Sequence, residues 1–192
     1  MRKVKKIRYN SPVILTFTFI SFAAFLLNIL TSGAANRFVF SVYCSSLADP
    51  LFFVRLVGHV FGHADWEHFC GNIIMMLLIG PLVEEKYGSV DVFFIIIITA
   101  VVTGVINIIF FPSTALLGAS GIVFALIMLS SFTCIKGDGI PLTFIFVAIF
   151  YFGSEIYNGV FADDNISNLT HIIGGITGCL IGYAVKPGKR RF

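Results

Sequence analysis

Gly118-Ala119-Ser120-Gly121, the start of an apolar run that continues to Ile135, decides how this chain is read. A serine lodged at the head of a lipid-compatible segment needs a reason, because polar and ionisable groups inside spanning helices are costly and usually face a partner or a water-filled cavity. The same holds for His171, in Thr170-His171-Ile172-Ile173-Gly174, near the head of another apolar segment.

Working outward, the 192 residues are 57% hydrophobic and only 12% charged, more apolar sequence than one soluble core requires. The composition is that of a polytopic membrane protein. Of the four cysteines, Cys70, Cys134 and Cys179 fall inside apolar segments and Cys44 has no partner outside them, so no disulfide framework is expected. The basic N-terminus and the apolar run after it, Val13 to Leu30, are longer than a signal peptide and lack a small-residue cleavage pattern; they read as a retained first helix.

Hydropathy and turn residues divide the chain into six expected spans: Pro12 to Leu30, Glu67 to Val83, Val90 to Phe111, Ala119 to Ile135, Ile140 to Tyr157 and Leu169 to Val185. Gly88-Ser89 predicts an N-cap with Asp91 in the first turn that follows, Pro112 closes the third span, and Gly137-Asp138-Gly139 and Asn158-Gly159 read as turns. The stretch from Thr31 to Trp66 is too long for a turn and predicts a structured, partly membrane-associated loop. Three parts follow: a basic segment over residues 1–11, a six-helix membrane domain over 12–185 and a basic tail over 186–192.

Arg2, Lys3, Lys5, Lys6 and Arg8 precede the first span, Lys86 and Lys136 lie in the second and fourth connections, and Lys186, Lys189, Arg190 and Arg191 follow the last; only Arg37 and Arg55 fall on the other side. The positive-inside rule therefore predicts cytoplasmic termini and an even number of spans. The second, fourth and sixth spans then run inward from the outer face. His68, Asn72, Ser120 and His171 thus start at similar depth. At a rise of about 1.5 Å per residue the fourth span covers roughly 24 Å of a hydrocarbon core of about 30 Å, so Ser120 is expected below the outer surface, at the foot of a water-accessible cavity.

Gly174, Gly178 and Gly182 recur every four residues, as do Gly121 and Ala125, and small residues at that spacing let two membrane helices approach closely. Such an approach brings Ser120 within reach of His171, which can accept the serine proton and return it to a leaving amine. No carboxylate is placed to orient the histidine, so a dyad is expected. His68 and Asn72, four residues apart on one helix face, join the Ser120 backbone N–H as candidate donors to an oxyanion.

These residues resemble the rhomboid intramembrane serine proteases in their minimal six-helix bacterial form. The resemblance rests on His63, His68 and Asn72 (His-x4-His-x3-Asn), Glu84 and Gly88 (Glu-x3-Gly), Gly118 to Gly121 (Gly-x-Ser-Gly) and His171, Gly174 and Gly178 (His-x2-Gly-x3-Gly), in that order between about Arg55 and Tyr183. It implies an all-α membrane bundle with a central fourth span. Ser120 would be the nucleophile and His171 the base. His68, Asn72 and the Ser120 N–H, beside Gly118, would form the oxyanion hole; His63 and Glu84 would be supporting positions, with a lateral gate and cap around Tyr151 to Asn168. The substrates implied are transmembrane segments of other proteins, cut near their outer ends. Two positions depart from the family pattern: Val54-Arg55 stands where many bacterial members have Trp-Arg, and Phe124 where some carry a tyrosine that stacks on the histidine.

Other readings have less behind them. A lone Gly-x-Ser-Gly is usually helix packing. His59, His63 and His68 lack a His-Glu-x2-His motif or an acidic ligand, so neither metal nor other cofactor is expected, and the basic ends are topology signals that imply no nucleic acid. A catalytically silent rhomboid-like escort protein usually lacks the serine or histidine, and a small transporter would spread polar groups through the membrane. The expected location is a bacterial plasma membrane, with the site opening to the outside.

Overall fold

The computed structural model describes residues 9–132, 142–161 and 165–185. Those residues form eight α-helices: α1 (Pro12–Leu30), α2 (Ala34–Phe38), α3 (Leu51–Gly58), α4 (Trp66–Tyr87), α5 (Ser89–Phe110), α6 (Ser120–Phe132), α7 (Leu142–Phe161) and α8 (Asn165–Ala184). A 3-10 turn, His59–Phe61, follows α3. The expected all-α bundle is present. All six spans correspond to helices; the ends of the fourth (133–135) and the start of the fifth (140–141) lie outside the described residues, as do Gly137-Asp138-Gly139 and both basic ends.

Helix α6 is the centre. It packs along α8 more extensively than any other pair of helices and also touches α4, α5 and α7. The reason is its sequence, apolar around the whole circumference: Ile122, Leu126, Met128 and Leu129 are buried to within 1%. The outer helices are apolar on their exposed faces as well, with Leu30, Leu78, Ile109, Phe150 and Leu180 all open. In water such surfaces would aggregate; in a bilayer they are the solvated face. Helices α1, α4 and α5 are each long and apolar enough to cross a membrane.

The stretch between α1 and α4 is structured, as its length predicted, by α2, α3 and the 3-10 turn. Arg55 is its anchor. Only 3% exposed, its guanidinium donates to Phe38 O, to Ser45 Oγ at 2.9 Å and to Asp49 Oδ2 at 2.6 Å, and lies 4.7 Å from the centre of the Tyr43 ring. The exposed Val54 takes no part in this, so the loop is tied down without the family's tryptophan.

Three local expectations need correction. Gly88 itself is the N-cap of α5, at φ 92°, and Ser89 is already helical and makes no side-chain cap, while Asp91 does lie in the first turn. Asn158-Gly159 is not a turn, because α7 runs through it to Phe161. One interior glycine costs a helix only about 1 kcal/mol, too little to break a segment that must satisfy its backbone in an apolar medium. Helix α8 also starts at Asn165, four residues earlier than expected, so the segment between Tyr151 and Asn168 is helical except at residues 162–164, which lie outside the described part. His171 is accordingly more than a turn inside α8, whereas Ser120 is the first residue of α6.

Candidate active site

The site grows from the loop that ends at Ser120. Val42 and Leu116 pair as an isolated antiparallel bridge, each amide 2.9 Å from the other's carbonyl, and the Gly118 N–H donates to His59 O at 2.9 Å. The long first loop therefore holds the segment carrying Gly118 and Ser120. Gly118 has φ 123°, and a Cβ there would stand 2.8 Å from His68 Nε2. The positive φ favours glycine, and any Cβ there would push the His68 ring out of its place.

That same point lies 3.9 Å from Ser120 Oγ, so the hydroxyl and the His68 imidazole converge on Gly118. Asp65 caps α4 by accepting the His68 N–H at 2.8 Å, which fixes where the histidine leaves the helix. His68 Nδ1 accepts from the Ala64 N–H. An accepting Nδ1 leaves the proton on Nε2, so His68 presents an N–H toward Gly118 and Ser120. Asn72 donates one amide hydrogen back to His68 O at 3.1 Å and keeps a second. The Ser120 N–H, at the first position of α6, is among the amides that have no acceptor within their own helix.

His171 arrives from α8. A Cβ on Gly174 would collide with the Gly121 backbone and one on Gly178 with that of Ala125, so the two helices touch backbone to backbone through the glycines singled out in the sequence. Thr170 closes over Gly121, its Cγ2 3.6 Å from where a Cβ of Gly121 would be. One residue on, the His171 ring sits with its centroid 4.5 Å from that of Phe124, tilted by 49°. His171 is also close enough to His68 for their charges to interact.

Two of the expected residues lie outside this cluster's centre. His63 is fully buried, edge-on to His68 at 5.2 Å between ring centres, and its Nδ1–H donates to Phe61 O at 3.2 Å. Burial, and then the nearby His68, pushes its pKa down to about 4, so it is neutral near pH 7. Glu84 is at the far end of α4, roughly 24 Å of helix from His68. There its two carboxylate oxygens accept the N–H groups of Val13 and Ile14, both at 3.1 Å, capping α1 where Ser11 does not. Sequence reasoning passed over Asp65, whose place just ahead of an apolar run is an N-cap signal, and over the Val42–Leu116 pairing and the Asn36 amide on His63 O, which had none.

A polytopic helical membrane protein with serine and histidine side chains gathered at one end of a central helix is the class defined by these features. The rhomboid domain model matches residues 51–188, and the chain belongs to the rhomboid family. Rhomboid-related protein 1 of Caenorhabditis elegans is 33% identical over 142 residues, which is 68% of this chain and 39% of that protein. Rhomboid-related protein 2 of Mus musculus is 28% identical over 155 residues, 74% of this chain and 51% of the relative. The chloroplastic Rhomboid-like protein 11 of Arabidopsis thaliana is 32% identical over 77 residues, 40% of this chain and 28% of the relative. The chain thus spans no more than about half the length of these relatives, and it is an integral membrane protein.

Proposed function

We propose that this protein is an intramembrane serine endopeptidase that cuts transmembrane segments of other membrane proteins near their outer ends. The observation that carries the reading is the convergence of Ser120 Oγ and His68 Nε2 on Gly118, beside the helix that carries His171. In this reading His171 takes the Ser120 proton as Oγ attacks the scissile carbonyl, and the proton passes to the leaving amine as the acyl-enzyme forms; water then hydrolyses the ester. His68 Nε2–H, the Ser120 N–H and the second Asn72 amide hydrogen are the donors available to the oxyanion. Phe124 supports the His171 ring. The basic segments favour cytoplasmic flanks with the site facing outward.

The test uses protein purified into lipid, a model transmembrane substrate and a fluorophosphonate probe. Cleavage and covalent labelling are expected, with both lost in Ser120→Ala and cleavage lost in His171→Ala. Absence of cleavage and labelling in the unaltered protein would place the chain with silent, client-binding relatives.

A further inference from the structure

Two adjoining cavities flank α1, one at the end of the bundle away from Ser120 and one running from there toward the loop ahead of α4. One, of about 450 Å³, sits where the start of α1, the end of α4 and the start of α5 meet; Asn10, Ser11, Glu84, Glu85 and Ser89 give it a polar side, and Pro12, Pro81 and Leu82 line the rest. The other, of about 250 Å³, is an apolar groove between α1 and α5 that includes Thr16, Ile20, Phe93 and Ile97. Pro12 lines both, so they adjoin.

Their chemistry selects an occupant. Helices α1 and α5 are long and apolar enough to span a membrane, and Ile20 and Phe93 are 43% and 50% exposed, so the groove opens onto hydrocarbon. An acyl chain fills such a groove. The first cavity lies where those same helices begin or end, at headgroup level, and among the described residues no lysine or arginine lines it. Glu84 is committed to the Val13 and Ile14 amides, while Glu85 is exposed and joins no ion pair among the described residues. A free carboxylate beside the Ser11 and Ser89 hydroxyls and the Asn10 amide complements a headgroup with an ammonium and a phosphate. An anionic phosphoglycerol head would bring like charge to two carboxylates, and a choline head has no N–H to donate.

We propose that the two cavities form one site for a phosphatidylethanolamine molecule, its ammonium on Glu85 and one acyl chain in the groove between α1 and α5. The bound chain lies against Phe61, which also lines the groove, packs on Phe17 at 4.8 Å between ring centres and accepts the His63 Nδ1–H on its carbonyl. The lipid therefore buttresses the loop that leads to His68.

Native mass spectrometry of the full chain, released from nanodiscs that contain equal parts of phosphatidylethanolamine, phosphatidylcholine and phosphatidylglycerol with identical chains, tests this directly and independently of peptidase activity. One phosphatidylethanolamine is expected to be retained about tenfold over either competitor. Glu85→Gln, an exposed change, should bring its retention to parity with phosphatidylcholine. Ile97→Trp, which fills the groove, should cut retention about tenfold, with helical content checked by circular dichroism. Equal retention of the three lipids, a preference for phosphatidylglycerol, or an undiminished phosphatidylethanolamine preference in Glu85→Gln would overturn the proposal.

Discussion

Gly174 of α8 rests directly on Gly121 of α6: a Cβ on Gly174 would stand 2.8 Å from the Gly121 Cα, in backbone that cannot step aside. The contact sits one residue after Ser120 on one helix and three after His171 on the other, so the distance between the helices also sets the distance between those side chains. Gly174→Ala is expected to destabilise the protein by about 1–3 kcal/mol, the usual cost of overpacking, and to lower substrate cleavage by more than the unfolded fraction explains. Unfolding in mixed micelles and a cleavage assay on the same sample separate the two effects.

Phe124 lies against His171 with 4.5 Å between ring centres. Aromatic contacts of this kind contribute about 0.5–1.5 kcal/mol beyond area burial, and here the energy holds an imidazole in place. Phe124→Ala should therefore reduce kcat several-fold, whereas Phe124→Tyr, which keeps the ring, should retain most of the activity. Steady-state kinetics on one peptide-bond reporter checks both. An equal loss in the two variants would remove the ring contact as the cause.

The helices and the close contact between α6 and α8 were legible in the sequence for a physical reason. Hydropathy and the four-residue glycine spacing are local patterns that directly encode burial in lipid and close helix contact, which is why Gly121, Gly174 and Gly178 could be paired before any coordinates. What escaped were features set by tertiary packing. Asn158-Gly159 carries a turn signal, yet α7 passes through it, because backbone groups in an apolar medium have no alternative acceptors. The Val42–Leu116 bridge joins residues 74 positions apart by two backbone hydrogen bonds, and backbone pairing leaves no mark on side-chain identity. Glu84 was readable as a helix-end group, but that the end belongs to α1 came only from the structure.

Glu84 replaces a missing N-cap. Ser11, at φ 53°, makes no side-chain cap, and the Glu84 carboxylate accepts the Val13 and Ile14 amides, 71 and 70 positions away, in its place. Hydrogen bonds to a charged acceptor contribute about 1.5–3 kcal/mol each at most. Glu84→Ala should lower the thermal midpoint markedly and raise hydrogen exchange at the amides of Val13 and Ile14, while Glu84→Gln, which keeps one oxygen acceptor, should cost less. Exchange confined to the first turn of α1 is the expected signature.

His63, in the loop ahead of α4, gives stability a pH dependence. Its folded pKa is held down at about 4, against an ordinary 6.5, by burial and then by His68. Between those two values the unfolded chain binds a proton that the folded chain does not, so His63's contribution is unchanged above pH 6.5 and stability falls as the pH drops toward 4. The full loss is roughly 3 kcal/mol. Unfolding midpoints measured from pH 7.5 to 4.5 should fall less steeply in His63→Gln than in the unaltered protein. Parallel curves would show that His63 does not carry the slope.

Arg55 ties three points of the first loop, the end of α2, Ser45 and Asp49, to α3 through Phe38 O, Ser45 Oγ and Asp49 Oδ2. A planar guanidinium can address diverging acceptors while stacking on Tyr43, and an ammonium cannot, so Arg55→Lys is expected to behave more like Arg55→Ala than like the native residue. Loss of the buried arginine should cost about 2 kcal/mol and open the segment between Ser41 and Pro50 to proteolysis. Asp49 depends on the same contact: the Arg55 hydrogen bond, and next the Leu51 N–H, hold its carboxyl below the usual range. Asp49→Asn should therefore weaken the loop less than Arg55→Ala, because the Ser45 and Phe38 contacts remain. Limited proteolysis of the three variants in lipid, read by mass spectrometry of the released fragments, orders them. Cleavage of Asp49→Asn as fast as Arg55→Ala would shift the anchor from the whole Arg55 cluster to its ion pair.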